Sequence, residues 1–186
     1  MSEEIRPWKV LESEFALDHP WYRVKRETVE LPDGKVIDDF YYSVRPEVVL
    51  VFPVTEKGEV VMVEQYKHGA RQILLEFPGG IFTHPEEPPA EAAVRELVEE
   101  TGCTARELTP LGIAWDDPAK QNNRLHLFLA TGVTATAQQR LDDTEFIRLH
   151  HFPLASIPDM VMSGKICTAG AIALAFRAVQ ALGQDH

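Results

Sequence analysis

Apolar positions along the chain switch between a spacing of two and a spacing of three to four, and these switches mark the elements. Val29 and Leu31, then Val36, Phe40 and Tyr42, alternate on either side of Leu31-Pro32-Asp33-Gly34, a turn sequence, which predicts an antiparallel β-ribbon. Val48–Val54 and Glu59–Tyr66 are rich in β-branched residues and are joined by Thr55-Glu56-Lys57-Gly58, a second hairpin signal. Over 91–101 the spacing becomes helical, with Pro88 and Pro89 suited to a first turn and Gly102 to the position just past the end. Leu108–Trp115, Arg124–Ala130 and Glu145–Phe152 read as strands, and Leu154–Met162 as a short helix. Alanine-rich Thr168–Leu182, stopped by Gly183, reads as a closing helix. Strands flanked by helices at this spacing predict a layered α/β domain. Seven of the 16 aromatic residues precede Arg45-Pro46, so the reading divides an N-terminal β extension, residues 1–46, from a main domain, residues 47–186.

Composition changes this picture mainly by exclusion. A chain of 186 residues that is 45% apolar and 25% charged is neither disordered nor collagenous, and it can bury a core without a disulfide. The net charge of −11 gives no electrostatic reason to coat nucleic acid or anionic lipid. No apolar run approaches the ~20 residues of a membrane span, and the start MSEEIRPWKV carries no apolar signal core. Two cysteines, Cys103 and Cys167, cannot build a secreted disulfide framework; a reducing, cytoplasmic setting is expected. An acidic protein can still act on phosphates when a metal cation stands between the two sets of negative charge.

One segment carries candidate chemistry. Within the helix over 91–101, Glu96, Glu99 and Glu100 are spaced three and four apart and share a face, while Ala93, Val94 and Leu97 form a separate apolar stripe. A solvated acidic face is the ordinary explanation. Clustered like charges cost stability, however, and Arg95 is the one local cation to offset them. Carboxylates gathered at one spot suit hard divalent cations, which take oxygen ligands. Gly79 and Gly80, just upstream, permit a tight turn that aims backbone groups at the same place.

Residues 80–103 resemble the Nudix box, G-x5-E-x7-R-E-U-x-E-E-x-G-U with U apolar. From Glu87 onward the pattern is matched throughout: Arg95, Glu96, Leu97, Glu99, Glu100, Gly102 and Cys103 fall at the required positions. One departure is visible. Six residues rather than five separate Gly80 from Glu87, so either the loop carries an extra residue or Glu86 takes the first glutamate's place. The resemblance implies a Nudix-fold α/β/α sandwich with a mixed sheet, and hydrolysis of a nucleoside diphosphate linked to another moiety with Mg²⁺ or Mn²⁺. It also implies that Glu96, Glu99 and Glu100 hold metal, with the Gly79 carbonyl a further ligand and Arg95 a brace.

Most of the chain is similar to one branch of that family, the ADP-ribose (ADP-sugar) pyrophosphatases. The resembling stretches are Val63–Lys67 with Leu75–Gly80, Pro118 at fifteen residues beyond Cys103, and Thr144–Arg148 running on to Gly164-Lys165-Ile166. That branch implies an aromatic N-terminal ribbon that makes a homodimer, and a loop glutamate as general base. Glu145 is assigned that role and Asp143 a helper's. Lys67, Trp115 and Pro118 become candidate substrate contacts. ADP-ribose is the expected nucleotide-sugar substrate; GDP-mannose or another nucleoside-diphosphate sugar, or a catalytically silent nucleotide sensor, are the alternatives. Ser163-Gly164-Lys165 is not a P-loop, His150 and His151 face opposite ways on a strand, and Cys103 fills an apolar slot.

Overall fold

The computed structural model describes residues 5–83 and 85–183; residues 1–4 of the extension and His84 of the box segment lie outside the described residues. The described chain groups into two compact units, one running through Pro46 and including the excursion 117–123, the other comprising 47–116 and 124–186.

The first unit is a three-stranded antiparallel sheet in the order β1 (Lys9–His19), β2 (Tyr22–Glu30), β3 (Val36–Val44). The expected turn joins β2 to β3: Gly34 N–H donates to the Leu31 carbonyl at 2.9 Å, and Gly34 takes φ +84°, where glycine has no Cβ to strain. The ribbon has one strand more than the alternation predicts. β1 slips register against β2 between Val10 and Glu12 and again between Phe15 and Leu17, and each irregularity breaks the period-two pattern that would have marked it. The segment 117–123 belongs to this unit by its hydrogen bonds: Ser43 N–H donates to the Lys120 carbonyl, and Arg45 N–H to Asn122 Oδ1, each at 2.8 Å.

The second unit is an α/β/α sandwich around one mixed sheet. Its strands are β4 (Glu47–Thr55), β5 (Glu59–Lys67), β6 (Gln72–Glu76), β7 (Gly79–Phe82), β8 (Cys103–Thr104), β9 (Glu107–Trp115), β10 (Arg124–Ala135) and β11 (Arg148–Pro153). Helix α1 (Pro89–Thr101) packs on one face through Ala92, Ala93 and Leu97 against Val49, Val51 and Phe128. Helices α2 (Ile157–Met162) and α3 (Ala169–Gly183) pack on the other, where Ile157 and Leu174 meet Phe52, Met62 and Leu127. Among the strands of this described sheet, β4 and β10 pair in parallel and the others antiparallel, and both members of the pair are rich in apolar residues, as strands covered on both faces must be. Among the described residues, no helix is long and apolar enough to cross a membrane.

The β4–β5 hairpin does not continue as a simple ladder. The two strands pair at Val54–Val60 and then part. The chain 72–82 fills the opening, with β6 along β5 and β7 along β4, crossing between them at Phe77-Pro78. This wedge sets Gly79 and Gly80 beside the helix that carries the carboxylates. Two further expectations are corrected. Val94 is half exposed, and Ala92 takes its place in the buried stripe, because the helix face turned to the sheet runs 92–93–97. The strand expected over Glu145–Phe152 begins only at Arg148, which pairs with Glu64; Glu145 instead closes a turn, its N–H donating to the Asp142 carbonyl at 2.9 Å.

Candidate metal and catalytic centre

Helix α1 begins on Pro88 in extended conformation with Pro89 in its first turn, where a missing N–H costs nothing, and ends on Gly102 at φ +68°. Its bounds fix which carboxylates point inward. Glu100 is 3% exposed and Glu96 9%, while Glu99 is partly open to solvent. Gly79 N–H donates to Glu100 Oε2 at 2.9 Å. At Gly80 the fit is tighter still: a β-carbon there would lie 2.5 Å from Glu96 Cδ and 2.6 Å from Oε2. A glycine is therefore needed at 80 for the space it leaves, since that space is what the Glu96 carboxylate fills.

Arg95 organises the acidic group. Its guanidinium donates to both oxygens of Glu87 at 2.8 and 3.0 Å, to Glu96 Oε1 at 2.7 Å and to Glu99 Oε2 at 2.9 Å, and reaches the Ile81 carbonyl at 3.3 Å. The planar fork suits this multiple grip in a way a lysine would not. Between Glu86 and Glu87, the residue that Arg95 grips is Glu87. The hydrogen bond to Arg95 holds the Glu87 carboxyl below its ordinary range, and the same bond is the first cause raising Arg95.

The buried carboxylates are pushed the other way. Burial raises Glu96 against the pull of Arg95. Burial also pushes Glu100 up to about 8, opposed by the Gly79 N–H and Lys67 and reinforced by the charges of Glu96 and Glu145. Glu145 is thus close enough to be felt electrostatically by both inward carboxylates, although it lies 44 residues beyond the helix end in sequence. Its Oε2 accepts from Asp142 N–H at 3.1 Å. Asp143 is exposed on the same loop. Lys67 Nζ pairs with Glu76 Oε2 at 3.1 Å, although the β5–β6 register sets Lys67 opposite Gln72 and Glu76 opposite Val63, so nothing in the sequence spacing announces the pair. Trp115 ends β9 half exposed, and Pro118 lies exposed in the excursion that belongs to the ribbon unit.

Three carboxylates, two of them buried and one driven to about 8, form a hard-oxygen donor set whose charge the protein balances with a single guanidinium and a more distant ammonium. Among the described residues, no three acidic, histidine or cysteine groups converge on one point in this arrangement, because Arg95 holds Glu96 and Glu99. The donor chemistry and the cradle at Gly80 fit a divalent cation: it would relieve the burial cost that raises Glu96 and Glu100. A second ionic cluster lies at the start of the parallel strand pair, where Glu47 bonds both Arg124 and His126. Burial opposes ionisation of Glu47, but those hydrogen bonds outweigh it and hold the carboxyl below its ordinary range.

A family model described as the NUDIX domain matches residues 44–167, and one described as the nucleoside diphosphate sugar hydrolase N-terminal domain matches residues 8–43. The chain is 33% identical over 144 residues to an ADP-ribose pyrophosphatase of Bacillus subtilis, covering 77% of each protein. It is 29% identical over 153 residues to an ADP-ribose pyrophosphatase of Mycobacterium tuberculosis, covering 82% of this chain and 73% of that one. A crystal structure of an ADP compounds hydrolase superposes with a TM-score of 0.87 at 22% identity, over 99% of this chain and 98% of the other; that likeness concerns the fold.

Proposed function

The chain belongs to the Nudix family and is a Nudix hydrolase, and from that premise we propose that it is a divalent-metal-dependent diphosphatase acting on ADP-ribose. The products are AMP and ribose 5-phosphate. The observation that carries this reading is the single acidic group in which Glu96 and Glu99 are braced by Arg95, Glu100 is buried against Gly79, and Glu145 acts on both inward carboxylates. Glu96, Glu99 and Glu100 would hold Mg²⁺ or Mn²⁺, with the Gly79 carbonyl as a further oxygen. When bound, the cations neutralise the diphosphate and make nearby water more acidic.

The remaining roles belong to the chain's own side chains. Arg95 holds Glu87, Glu96 and Glu99 in fixed relation, so the donor oxygens need not be ordered at each turnover. Glu145 takes the proton from the attacking water. Its Oε2 already accepts from Asp142 N–H at 3.1 Å, a bond that helps orient the carboxylate. The oxygen–phosphorus bond forms as one phosphorus–oxygen bond of the diphosphate bridge breaks. Asp143 on the same loop supports Glu145 electrostatically, and Lys67, Trp115 and Pro118 serve as substrate contacts. The test is a panel of nucleoside-diphosphate sugars with the full chain and Mg²⁺, the products separated by chromatography. Fastest release of AMP and ribose 5-phosphate from ADP-ribose is expected. Faster cleavage of GDP-mannose would move the substrate, and ligand binding without phosphate-ester products would make the protein a sensor.

The same reading makes the protein a cytoplasmic homodimer joined through its ribbon. Trp21 is 84% exposed, and Trp8 just before β1 and Val10, Phe15 and Tyr22 on the strands are open to solvent, an apolar surface that a three-stranded sheet cannot cover by itself. Light scattering at micromolar concentration should give twice the 20.9 kDa of the chain, and a mass of one chain would refute the dimer.

A further inference from the structure

The end of α1 is capped in an unusual way. A helix leaves its last carbonyls without partners, and α1 has no basic residue in its last turn to meet them. Gly102 N–H closes onto the Val98 carbonyl at 2.8 Å, Thr101 Oγ1 and Cys103 Sγ donate to the Leu97 and Thr101 carbonyls at 2.5 and 3.6 Å, and further capping comes from one distant segment, residues 136–140. Thr136 and Ala137 N–H donate to the Gly102 carbonyl at 2.9 and 3.0 Å, and Arg140 N–H donates to the Glu99 carbonyl at 2.8 Å. From the same segment Gln139 adds a side-chain bond, its Nε2 donating to the Glu100 carbonyl at 2.6 Å. The carbonyls gripped last belong to Glu99 and Glu100, whose side chains lie in the acidic centre.

This segment runs directly into the loop 141–147 that carries Glu145. The loop has two fixed ends: Arg140 on α1, and Arg148 where β11 starts its pairing with β5. Between them Glu145 is held by its own turn with Asp142 alone. Where Glu145 stands relative to the acidic centre is therefore set by both ends of the loop, and the first of them is fastened to Glu99 and Glu100, two of the residues whose carboxylates form that centre. We propose that Gln139 is a positioning residue, which sets the reach of Glu145 by tying the base of its loop to the Glu100 carbonyl at the end of α1. The inference rests on the reading of Glu145 as proton acceptor given above.

A cap that served only the helix would act through α1; a cap that positions the loop acts through Glu145. A double-mutant cycle on the full chain with Mg²⁺ and ADP-ribose, or whichever panel substrate is fastest, separates the two. Gln139→Ala should lower kcat by ~10–10²-fold with KM within about twofold, the range expected when a reacting group is displaced by ~1 Å. In the Glu145→Gln background the same change should cost nothing further. An equal loss in both backgrounds overturns the proposal. Near-normal turnover of Glu145→Gln alone overturns the proton-acceptor reading instead.

Hydrogen exchange supplies a readout independent of activity: in Gln139→Ala, deuterium uptake should rise in 141–147 and stay unchanged in 92–98. Unchanged uptake in the loop, or fraying of the helix, would refute the positioning role. Should Gln139→Ala fold poorly, Gln139→Lys keeps a donor of sufficient reach and a charge suited to a helix C-terminus, and turnover within about threefold of the parent is expected. A Gln139→Lys protein as slow as Gln139→Ala would also count against it.

Discussion

Gly80→Ala tests whether the position of one carboxylate, rather than its presence, governs activity. Gly80 has no backbone need for glycine, since it is absent from the positive-φ positions; its requirement is purely one of space. A β-carbon at 80 would meet Glu96 Cδ at 2.5 Å and Oε2 at 2.6 Å, whereas ordinary contact begins near 3.4 Å, so the carboxylate must retreat by about 0.9 Å. Glu96 has little freedom to do so: it is 9% exposed and its Oε1 is tied to Arg95 at 2.7 Å. Overpacking a filled site costs ~1–3 kcal/mol. In a chain of this size each kcal/mol lowers Tm by ~2–4 °C, so a fall of about 2–12 °C is expected. A shift of ~1 Å in a reacting group costs up to ~10²-fold in rate. Initial rates of AMP release, taken well below the melting temperature of both proteins, should therefore drop by about two orders of magnitude while circular dichroism shows a folded protein. Gly69→Ala is the control, because a β-carbon there meets nothing within 4 Å. A Gly80→Ala enzyme within about twofold of the parent, at unchanged Tm, would show that Glu96 moves freely and that its placement does not matter.

Glu99→Gln should keep the fold and lose at least ~10²-fold in turnover, as expected when metal-assisted catalysis is removed; near-normal activity at limiting Mg²⁺ would refute it as a ligand. Glu145→Gln should lose ~10²–10⁴-fold in kcat with the Mg²⁺ requirement unchanged, and a large shift in that requirement would make it a ligand instead. Glu100 gives a pH signature in chelator. Its carboxyl holds a proton up to about 8 in the folded protein against 4.5 ordinarily, so the folded state binds more protons between those values and stability falls as pH rises through that window. Glu100→Gln lacks this loss: its Tm should exceed the parent's at pH 8 and converge on it near pH 5, and parallel pH curves would refute the burial argument. Gly102→Ala combines φ +68° with a β-carbon 3.0 Å from the Ala137 carbonyl carbon, so thermal unfolding should show ~1–3 kcal/mol of destabilisation; an unchanged Tm would mean the 136–140 cap yields easily.

Features whose cause lies within a few residues could be read from the sequence. Pro88, Pro89 and Gly102 bound α1 to within two residues, the i, i+3, i+4 spacing put Glu96, Glu99 and Glu100 together, and Leu31–Gly34 announced its hairpin. The match to the Nudix box supplied the family from the same local spacing. Tertiary structure decided whatever depends on a partner far along the chain. Only the folded protein shows that Arg95 grips Glu87 rather than Glu86, because the loop before α1 has to bend back to the guanidinium. Val94 is the more apolar of the two in sequence, yet the sheet buries Ala92 and leaves Val94 half exposed by where it lies. Phe146 and Ile147 are good strand formers, yet β11 starts only at Arg148 opposite Glu64, and so Glu145 belongs to a loop that acts on the buried carboxylates. The cap on α1 is the furthest from sequence view, since Gln139 meets Glu100 across 39 residues. Hydrophobic period and capping chemistry are properties of neighbours in the chain. Pairing of strands and closure of loops are properties of neighbours in space, which the sequence specifies only through the whole fold.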